Sequence, residues 1–287
     1  MLSTKIEKSL KDLPFPLYSK EINRQIGSRI FQHIPFEPES IYDPACRFGN
    51  MLQYFNQKYS DKPMFGQDYS SYKIKEARRR LDNFIGYAGD PINNDFFGNQ
   101  RFDCIITSLP IELRREKVRP DIYDDRFYEF DFETLFKKHK EHFKNQHDYK
   151  IYEDQLIAEI SYEYSYLLHI LYHLDQDGVA FVACSPYVLR NNYERALNYK
   201  PSLKEEYTIS YVSDINDHEI KKWMFENGYI DTIIQLPNIN VNNITIDYFL
   251  LVLRKKRLGS EVIIEDFYRN SVEKSLNDIR ILNYCIY

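Results

Sequence analysis

The sequence has only four cysteines, and no two of them have the spacing of a metal or redox motif. They lie far apart along the 287 residues, at Cys46, Cys104, Cys184 and Cys285. A zinc site built on C-x-x-C pairs, or a disulfide framework, is therefore not expected. The pattern favours a protein of a reducing compartment.

Long apolar runs are missing as well. No stretch approaches the roughly 20 apolar residues that a membrane span needs. Lys5, Lys8 and Lys11 interrupt the first residues, where a secretory signal would need an apolar core. We therefore predict a cytoplasmic protein with no membrane partner.

The chain also has no excess of positive charge. Its 38 Lys and Arg residues against 43 Asp and Glu residues give a formal net charge of −5, whereas a protein that binds DNA unaided usually presents a basic field. A nucleic-acid role would need a local basic surface or a partner that supplies most phosphate contacts. Aromatic residues are abundant, with 25 Tyr and 19 Phe; we expect most in the core and a few available to stack on bases.

Apolar periodicity predicts alternating strands and helices. Strands are expected at 40–42, 63–68, 83–89, 101–107 and 178–184, and helices at 20–31, 50–59, 73–81, 152–174 and 214–227. This alternation predicts a mostly parallel sheet with helices on both faces. Two further strands, 229–236 and 248–254, are joined by a polar loop at 237–247 that is too short for a crossover helix, so they are expected to form an antiparallel hairpin. A strand at 261–267 and a short helix follow.

The segment 112–150 interrupts this alternation of strands and helices, because it is densely charged and aromatic with little strand character. Segments of this length between regular elements are more often functional or mobile than structural. Its basic and aromatic part, 136–144, could line a nucleic-acid groove. Nearby acidic residues leave a solvated helix face as an equal alternative.

Two histidines, His169 and His173, lie four residues apart on a predicted helix and could bind one metal ion together. The sequence shows no third ligand for them. We therefore predict histidines at the edge of the core and no metal site.

The most informative stretch is 40–52, which reads as a short strand, an abrupt turn at Asp43-Pro44, and small residues with Gly49 opening a helix. An α/β sheet presents nucleotide-like ligands in this way. Two more acids, Asp68 and Asp90, follow the next two predicted strands. Each acid alone is typical of a turn or helix cap. Together they predict three carboxylates at one edge of the sheet.

These motifs resemble the N6-adenine DNA methyltransferases, above all the modification (M) subunits of type I restriction–modification systems. The resemblance rests on Asp43-Pro44-Ala45-Cys46, Gly66-Gln67-Asp68, Gly89-Asp90-Pro91 and the hairpin with Leu236-Pro237-Asn238, and it covers about 18–257. It implies a class I S-adenosylmethionine-dependent methyltransferase (Rossmann-like) fold, with an approximately seven-stranded, mostly parallel α/β sheet and a terminal antiparallel hairpin. It also implies DNA as substrate, reached through a separate specificity subunit, and a homo- or hetero-oligomer.

The same resemblance implies the cofactor contacts. S-adenosylmethionine would be held by Asp43, Ala45, Cys46, Gly49, Asp68 and Asp90. Asp43 would interact with the amino-acid end of the cofactor, Asp68 with its ribose hydroxyls and Asp90 with its adenine amine. Arg47 departs from the pattern, since a glycine with positive φ is expected there. A left-handed arginine costs about 1–2 kcal/mol, and its side chain could enter the methionine pocket, turn to solvent or be neutralised by Asp43.

The catalytic motif departs further. Where the family has Asn/Asp-Pro-Pro-Phe/Tyr, this chain has Ser108, Leu109, Pro110 and Ile111. The serine hydroxyl is a weaker acceptor for a target amine than a carboxamide. Leu109 removes a proline, and Ile111 removes a ring whose stacking on the base would contribute roughly 1–3 kcal/mol. We therefore expect an adenine-N6 methyltransferase-like protein with impaired catalysis, or an inactive scaffold that binds protein or nucleic acid.

The predicted domain organisation follows the range of the resemblance. An N-terminal arm at 1–17 precedes a methyltransferase-like domain at 18–257. That domain contains the insertion at 112–150 near the presumed target pocket. A C-terminal appendage at 258–287 completes the chain.

Overall fold

The first half of the chain alternates helices and strands as the periodicity predicts. The computed structural model describes residues 20–109, 117–118, 160–189, 205–241 and 244–267. The first elements are α1 (Lys20–Gln32), β1 (Ile41–Asp43), α2 (Asn50–Lys58), β2 (Met64–Asp68), α3 (Ser71–Arg80), β3 (Phe84–Ala88) and β4 (Phe102–Ser108). Met51, Leu52 and Phe55 of α2 are buried, so one apolar face docks this helix. The predicted bounds of these elements are right to within two residues.

The second half has β5 (Lys117–Val118), β6 (Ile160–Ser161), α4 (Tyr162–His173), β7 (Leu174–Cys184), a 3-10 turn (Pro186–Leu189), α5 (Glu205–Glu226), β8 (Ile230–Val241), β9 (Ile244–Leu253) and β10 (Ile263–Asp266). The assignment of Ile160 to the helix is wrong, because it pairs with Val118 in a small antiparallel ladder. Helix α4 starts after Ser161, whose hydroxyl accepts the N–H of Tyr164 at 3.4 Å. The serine cap, rather than the apolar residues at helical spacing, therefore determines where this helix begins.

The antiparallel hairpin is confirmed, but the polar loop predicted at 237–247 is wrong. Strands β8 and β9 continue pairing through Ile239↔Ile246 and Val241↔Ile244. Ile and Val at alternate positions suit a pleated ladder despite the asparagines between them. The register shifts between Leu236 and Ile239, around Pro237, which has no N–H to donate to the ladder.

The main sheet has eight strands in the described part of the chain, in the order β10-β8-β9-β7-β4-β1-β2-β3. The predicted mostly parallel α/β sheet with a terminal hairpin is confirmed. The additional strand is β10, which lies in the predicted appendage and pairs in parallel with β8. Because β3, β2, β1, β4 and β7 are mutually parallel, their carboxyl ends share one edge, where ligands bind in such sheets.

Apolar layers cover both faces of the sheet. On one face, α4 packs with Leu167 and Leu171 against Tyr42 and Phe102. On the other face, α1 and α2 contribute Ile30, Leu52 and Phe55. No helix within the described ranges is long and apolar enough to cross a bilayer. The predicted arm at 1–17, almost all of the insertion at 112–150 and the predicted final helix lie outside the described residues.

Candidate cofactor and catalytic site

The three predicted carboxylates follow three neighbouring parallel strands. Asp43 ends β1 and pairs with Gly66, while Asp68 ends β2 and pairs with Ala88, two residues before Asp90. Adjacent strands lie about 4.8 Å apart. The sheet therefore carries these acids to neighbouring positions at its carboxyl edge.

Each acid also shapes the turn that follows it. One carboxylate oxygen accepts the backbone N–H two residues ahead. The donors are Ala45 for Asp43 at 3.0 Å, Ser70 for Asp68 at 2.9 Å and Ile92 for Asp90 at 3.0 Å. Aspartate favours such turns. All three side chains therefore act as turn formers at the ends of their strands.

The carboxylates are electrostatically coupled. Burial raises the pKa of Asp43 to about 7, and the negative charge of Asp68 adds to the shift. Burial also raises the pKa of Asp68. Asp43 is 1% exposed and Asp68 is 4% exposed, so their repulsion is weakly screened. A cation at this edge would favour the ionised forms.

Tyr166 of α4 is influenced electrostatically by two of the same acids, although the sequence pattern did not single it out. Burial raises the pKa of its hydroxyl well above the ordinary value, and Tyr162, Asp90, Tyr42 and Asp68 add to the shift. Tyr166 thus lies within electrostatic reach of both Asp68 and Asp90. Tyr166 is not one of the apolar residues at helical spacing that predicted this helix. Periodicity alone therefore did not identify it as a site residue.

The loop between β1 and α2 has the left-handed backbone predicted at Arg47, with φ 50°. The half-buried arginine acts on both neighbouring acids, because its positive charge lowers the pKa of Asp43 and of Asp68. Arg47 therefore lies within electrostatic reach of both carboxylates. An arginine here takes the electrostatic place that a cationic ligand group would take.

Glycines allow the loop to pack against the sheet. Gly49 has φ 76°, and a Cβ there would lie 2.7 Å from Leu81 Cδ1. At Gly66 a Cβ would lie 2.9 Å from Cys46 Sγ. Burial raises the pKa of the Cys46 thiol well above its usual value, so this sulfur stays protonated. Ala45 and Cys46 are both buried, which restricts any ligand contact there mainly to backbone groups.

The predicted catalytic motif starts at the end of β4, where Ser108 is 4% exposed. The Ser108 hydroxyl lies 3.0 Å from the Tyr248 hydroxyl of β9. The N–H of Leu109 donates to the carbonyl oxygen of Ala183 at 2.9 Å, and its side chain is buried. These bonds hold the start of the motif to the sheet. Pro110 and Ile111 lie outside the described residues.

We expect Ser108→Ala to lower the free energy of unfolding by about 1–3 kcal/mol, because it leaves the buried Tyr248 hydroxyl without this partner. Chemical denaturation measures the change. Tyr248→Phe is the matched variant, and the double variant should recover part of the loss, since both polar groups are then removed. If the losses of the two single variants were equal and simply added in the double variant, a direct Ser108–Tyr248 bond would be contradicted.

Neither a protein-family model nor the sequence of a curated protein matches the chain. Solved structures do resemble it. The methyltransferase subunit of a type I restriction–modification system from Streptococcus thermophilus has a TM-score of 0.60 at 20% identity, over 87% of this chain and 46% of that chain. The M protein of the type I restriction enzyme EcoKI has a TM-score of 0.52 at 12% identity, over 90% and 49%.

At these low sequence identities the comparisons show a similarity of fold only. The chain has the mixed α/β fold of class I methyltransferases. It spans about half the length of the two subunits that it resembles. The shared part amounts to 87–90% of this chain.

Proposed function

We propose that this protein binds S-adenosylmethionine and is a DNA adenine-N6 methyltransferase-like protein of the restriction–modification type, with impaired transfer. The observation that carries the proposal is the set of three acids, Asp43, Asp68 and Asp90, at the carboxyl ends of neighbouring parallel strands. Two type I M subunits with the same fold support the class of protein. The proposed domain is 18–257, with the appendage adding β10 to its sheet.

The donor set fits the proposed cofactor. Asp68 would accept hydrogen bonds from ribose hydroxyls, Asp43 would attract the ammonium and sulfonium charges, and Asp90 would accept from the adenine amine. When bound, S-adenosylmethionine supplies an electrophilic methyl group. The protein supplies acceptors whose turns already orient them, which lowers the entropy lost on binding.

Arg47 is expected to weaken the binding of this cofactor. Its guanidinium already acts on Asp43 and Asp68, so it competes with the positive charges of the ligand for the same carboxylates. We infer an affinity below that of a loop with glycine at this position.

Impaired transfer is proposed from the position of Ser108. Adenine methylation needs an acceptor that holds the target amine in line with the methyl group. Here the hydroxyl at that position is buried and bonded to Tyr248. A short side chain engaged with the sheet is a poor acceptor for an extruded base.

A separate subunit is proposed to provide DNA recognition. The net charge of −5 supports this, because phosphate contacts dominate DNA affinity and need clustered Lys and Arg residues. The second candidate function is an inactive scaffold that binds protein or nucleic acid. The Ser108–Tyr248 bond and Arg47 are the observations that favour it.

Isothermal titration with S-adenosylmethionine tests the cofactor site. The wild type, Asp68→Asn and Arg47→Gly are compared near pH 8.5, above the raised pKa of Asp43. Asp68→Asn keeps the turn but loses charge-assisted bonds, so we expect roughly 10- to 100-fold weaker binding. Arg47→Gly should bind several-fold tighter. No heat with either wild type or Arg47→Gly at about 1 mM cofactor would leave the scaffold function only.

Transfer is tested separately by incorporation of a labelled methyl group into adenine-containing DNA. We expect incorporation to be low for the wild type and to rise with Arg47→Gly, because more cofactor is bound. Cofactor binding by both proteins with no incorporation into DNA would reject the methyltransferase activity while retaining the cofactor site.

A further inference from the structure

A buried polar cluster connects α4 to the segment between β3 and β4. It consists of Asp95 from that segment and His169 and His173 from α4. Both histidines are fully buried, and the Asp95 side chain is 9% exposed. The sequence showed the two histidines at helical spacing without a third ligand; the fold brings Asp95 to them.

The three side chains lie close enough together to surround one metal ion. One ligand atom from each lies within 4.8 Å of those of the other two. Asp95 Oδ2 lies 2.9 Å from His173 Nε2, and the two imidazole rings have centroids 4.4 Å apart. Two ligands of a tetrahedral zinc ion lie about 3.3 Å apart, given bonds of about 2.0–2.1 Å. Ligand atoms that lie further apart than this would have to move together by side-chain rotation when the ion binds.

The surroundings orient these ligands. His173 Nδ1 lies 2.8 Å from the carbonyl oxygen of Gln100. A carbonyl only accepts, so Nδ1 carries hydrogen and Nε2 is the nitrogen directed at Asp95. A metal-binding histidine is usually held in this way by a bond from its other nitrogen.

Asp95 is held in a similar way. Its Oδ1 accepts the N–H groups of Phe97 at 2.9 Å and Gly98 at 3.3 Å, which leaves Oδ2 to face His173. The Tyr42 hydroxyl lies 3.0 Å from His169 Nε2, close enough to serve as a fourth ligand or as a hydrogen-bond partner of His169.

The cluster sits among aromatic rings. Tyr42 and Phe102 stack with centroids 4.5 Å apart, and Phe97 contacts both rings. Buried titratable groups are costly in such surroundings unless they are paired or coordinate a metal. His173 Nε2 and Asp95 Oδ2 lie 2.9 Å apart and already face each other. A divalent cation could be coordinated by all three side chains together.

We propose that Asp95, His169 and His173 form a structural binding site for a divalent transition metal, zinc foremost. The set of two imidazoles and one carboxylate matches the ligands that zinc accepts. The burial of the ligands indicates a structural rather than a catalytic role. The ion would tie the 90–101 connection, which includes Asp90, to α4. This inference does not depend on the proposed cofactor site.

The test uses the full-length protein, stripped with a chelator and then dialysed against zinc sulfate. We expect elemental analysis to find one zinc per chain and the melting temperature to rise by about 5 °C when zinc is roughly 100-fold above its dissociation constant. Asp95→Asn keeps the Oδ1 turn and should fold, yet it should bind zinc more than about tenfold more weakly. His33→Gln, which changes a histidine paired with Glu265 at 3.6 Å, should retain zinc.

Cobalt(II) identifies the ligands directly. We expect the absorption of a tetrahedral ion with nitrogen and oxygen ligands, lost in His169→Gln, and no sulfur-to-cobalt charge-transfer band. Zinc bound equally by the wild type and Asp95→Asn, no stoichiometric zinc in the wild type, or a sulfur band would each overturn the proposal. The cluster would then be a hydrogen-bonded network only.

Discussion

Asp43→Asn is expected to stabilise the protein above pH 7 by up to roughly 4 kcal/mol and to leave it nearly unchanged near pH 3. The Asp43 carboxyl has a pKa of about 7 in the folded protein, raised from 3.8 mainly by burial. Below about pH 3 it is mostly protonated in both the folded and the unfolded state. As pH rises, the unfolded state releases the proton first. Stability therefore falls until the pH passes the folded pKa of about 7.

The substitution isolates this effect because asparagine has nearly the same shape. Its side-chain oxygen can still accept the Ala45 N–H, which donates to Asp43 at 3.0 Å, but it never ionises. Urea denaturation of both proteins across this pH range measures the difference. All other titrating groups are common to the two proteins and largely cancel. A difference that is independent of pH would show that Asp43 ionises normally in the folded state.

Arg254→Met is expected to lower the free energy of unfolding by about 3–5 kcal/mol, the usual cost of removing one partner of a buried ion pair. Arg254 follows β9 and is 4% exposed. Its Nε lies 3.6 Å from Asp231 Oδ2, and its Nη2 donates to the carbonyl oxygen of His33 at 2.7 Å. The guanidinium thus joins the end of the hairpin to the residues just after α1.

The loss should come chiefly from the carboxylate left behind. Asp231 still accepts the N–H of Leu258 and the hydroxyl of Thr232 in the variant, but its charge is buried without a cation. The double variant Arg254→Met/Asp231→Asn should therefore recover part of the loss, as measured by denaturation of the two singles and the double. A loss below about 1 kcal/mol, the range of surface pairs, would contradict this account.

The order and type of most elements followed from local patterns. Strand ends at Asp43 and Asp68 could be predicted because short apolar runs stop at acidic turns. The positive φ at Arg47 was predicted from the loop motif and is present. The misplaced features were those decided by strand pairing, which the local pattern of apolar and polar residues did not show. Ile160 pairs with Val118, and the asparagine-rich 237–247 segment continues a ladder with its neighbour.

The candidate site, too, was predicted from the sequence in part and decided by long-range packing in part. The identity of the three acids and the altered motif at Ser108 are properties of the sequence. The bond from Ser108 to Tyr248, the approach of Tyr166 to Asp68 and Asp90, and the position of Asp95 beside two histidines come from packing between elements distant in sequence.

The amino-acid sequence alone determined the alternation of strands and helices, the turns that end the strands and the chemical groups placed there. These depend on backbone preferences and on periodic apolar residues, which act over a few positions. Only the tertiary structure decided which groups are buried, charged or bonded to one another. Burial of Asp43 raises its pKa, and docking of α4 brings Asp95 to His173, because close packing removes water and sets distances that no local pattern encodes.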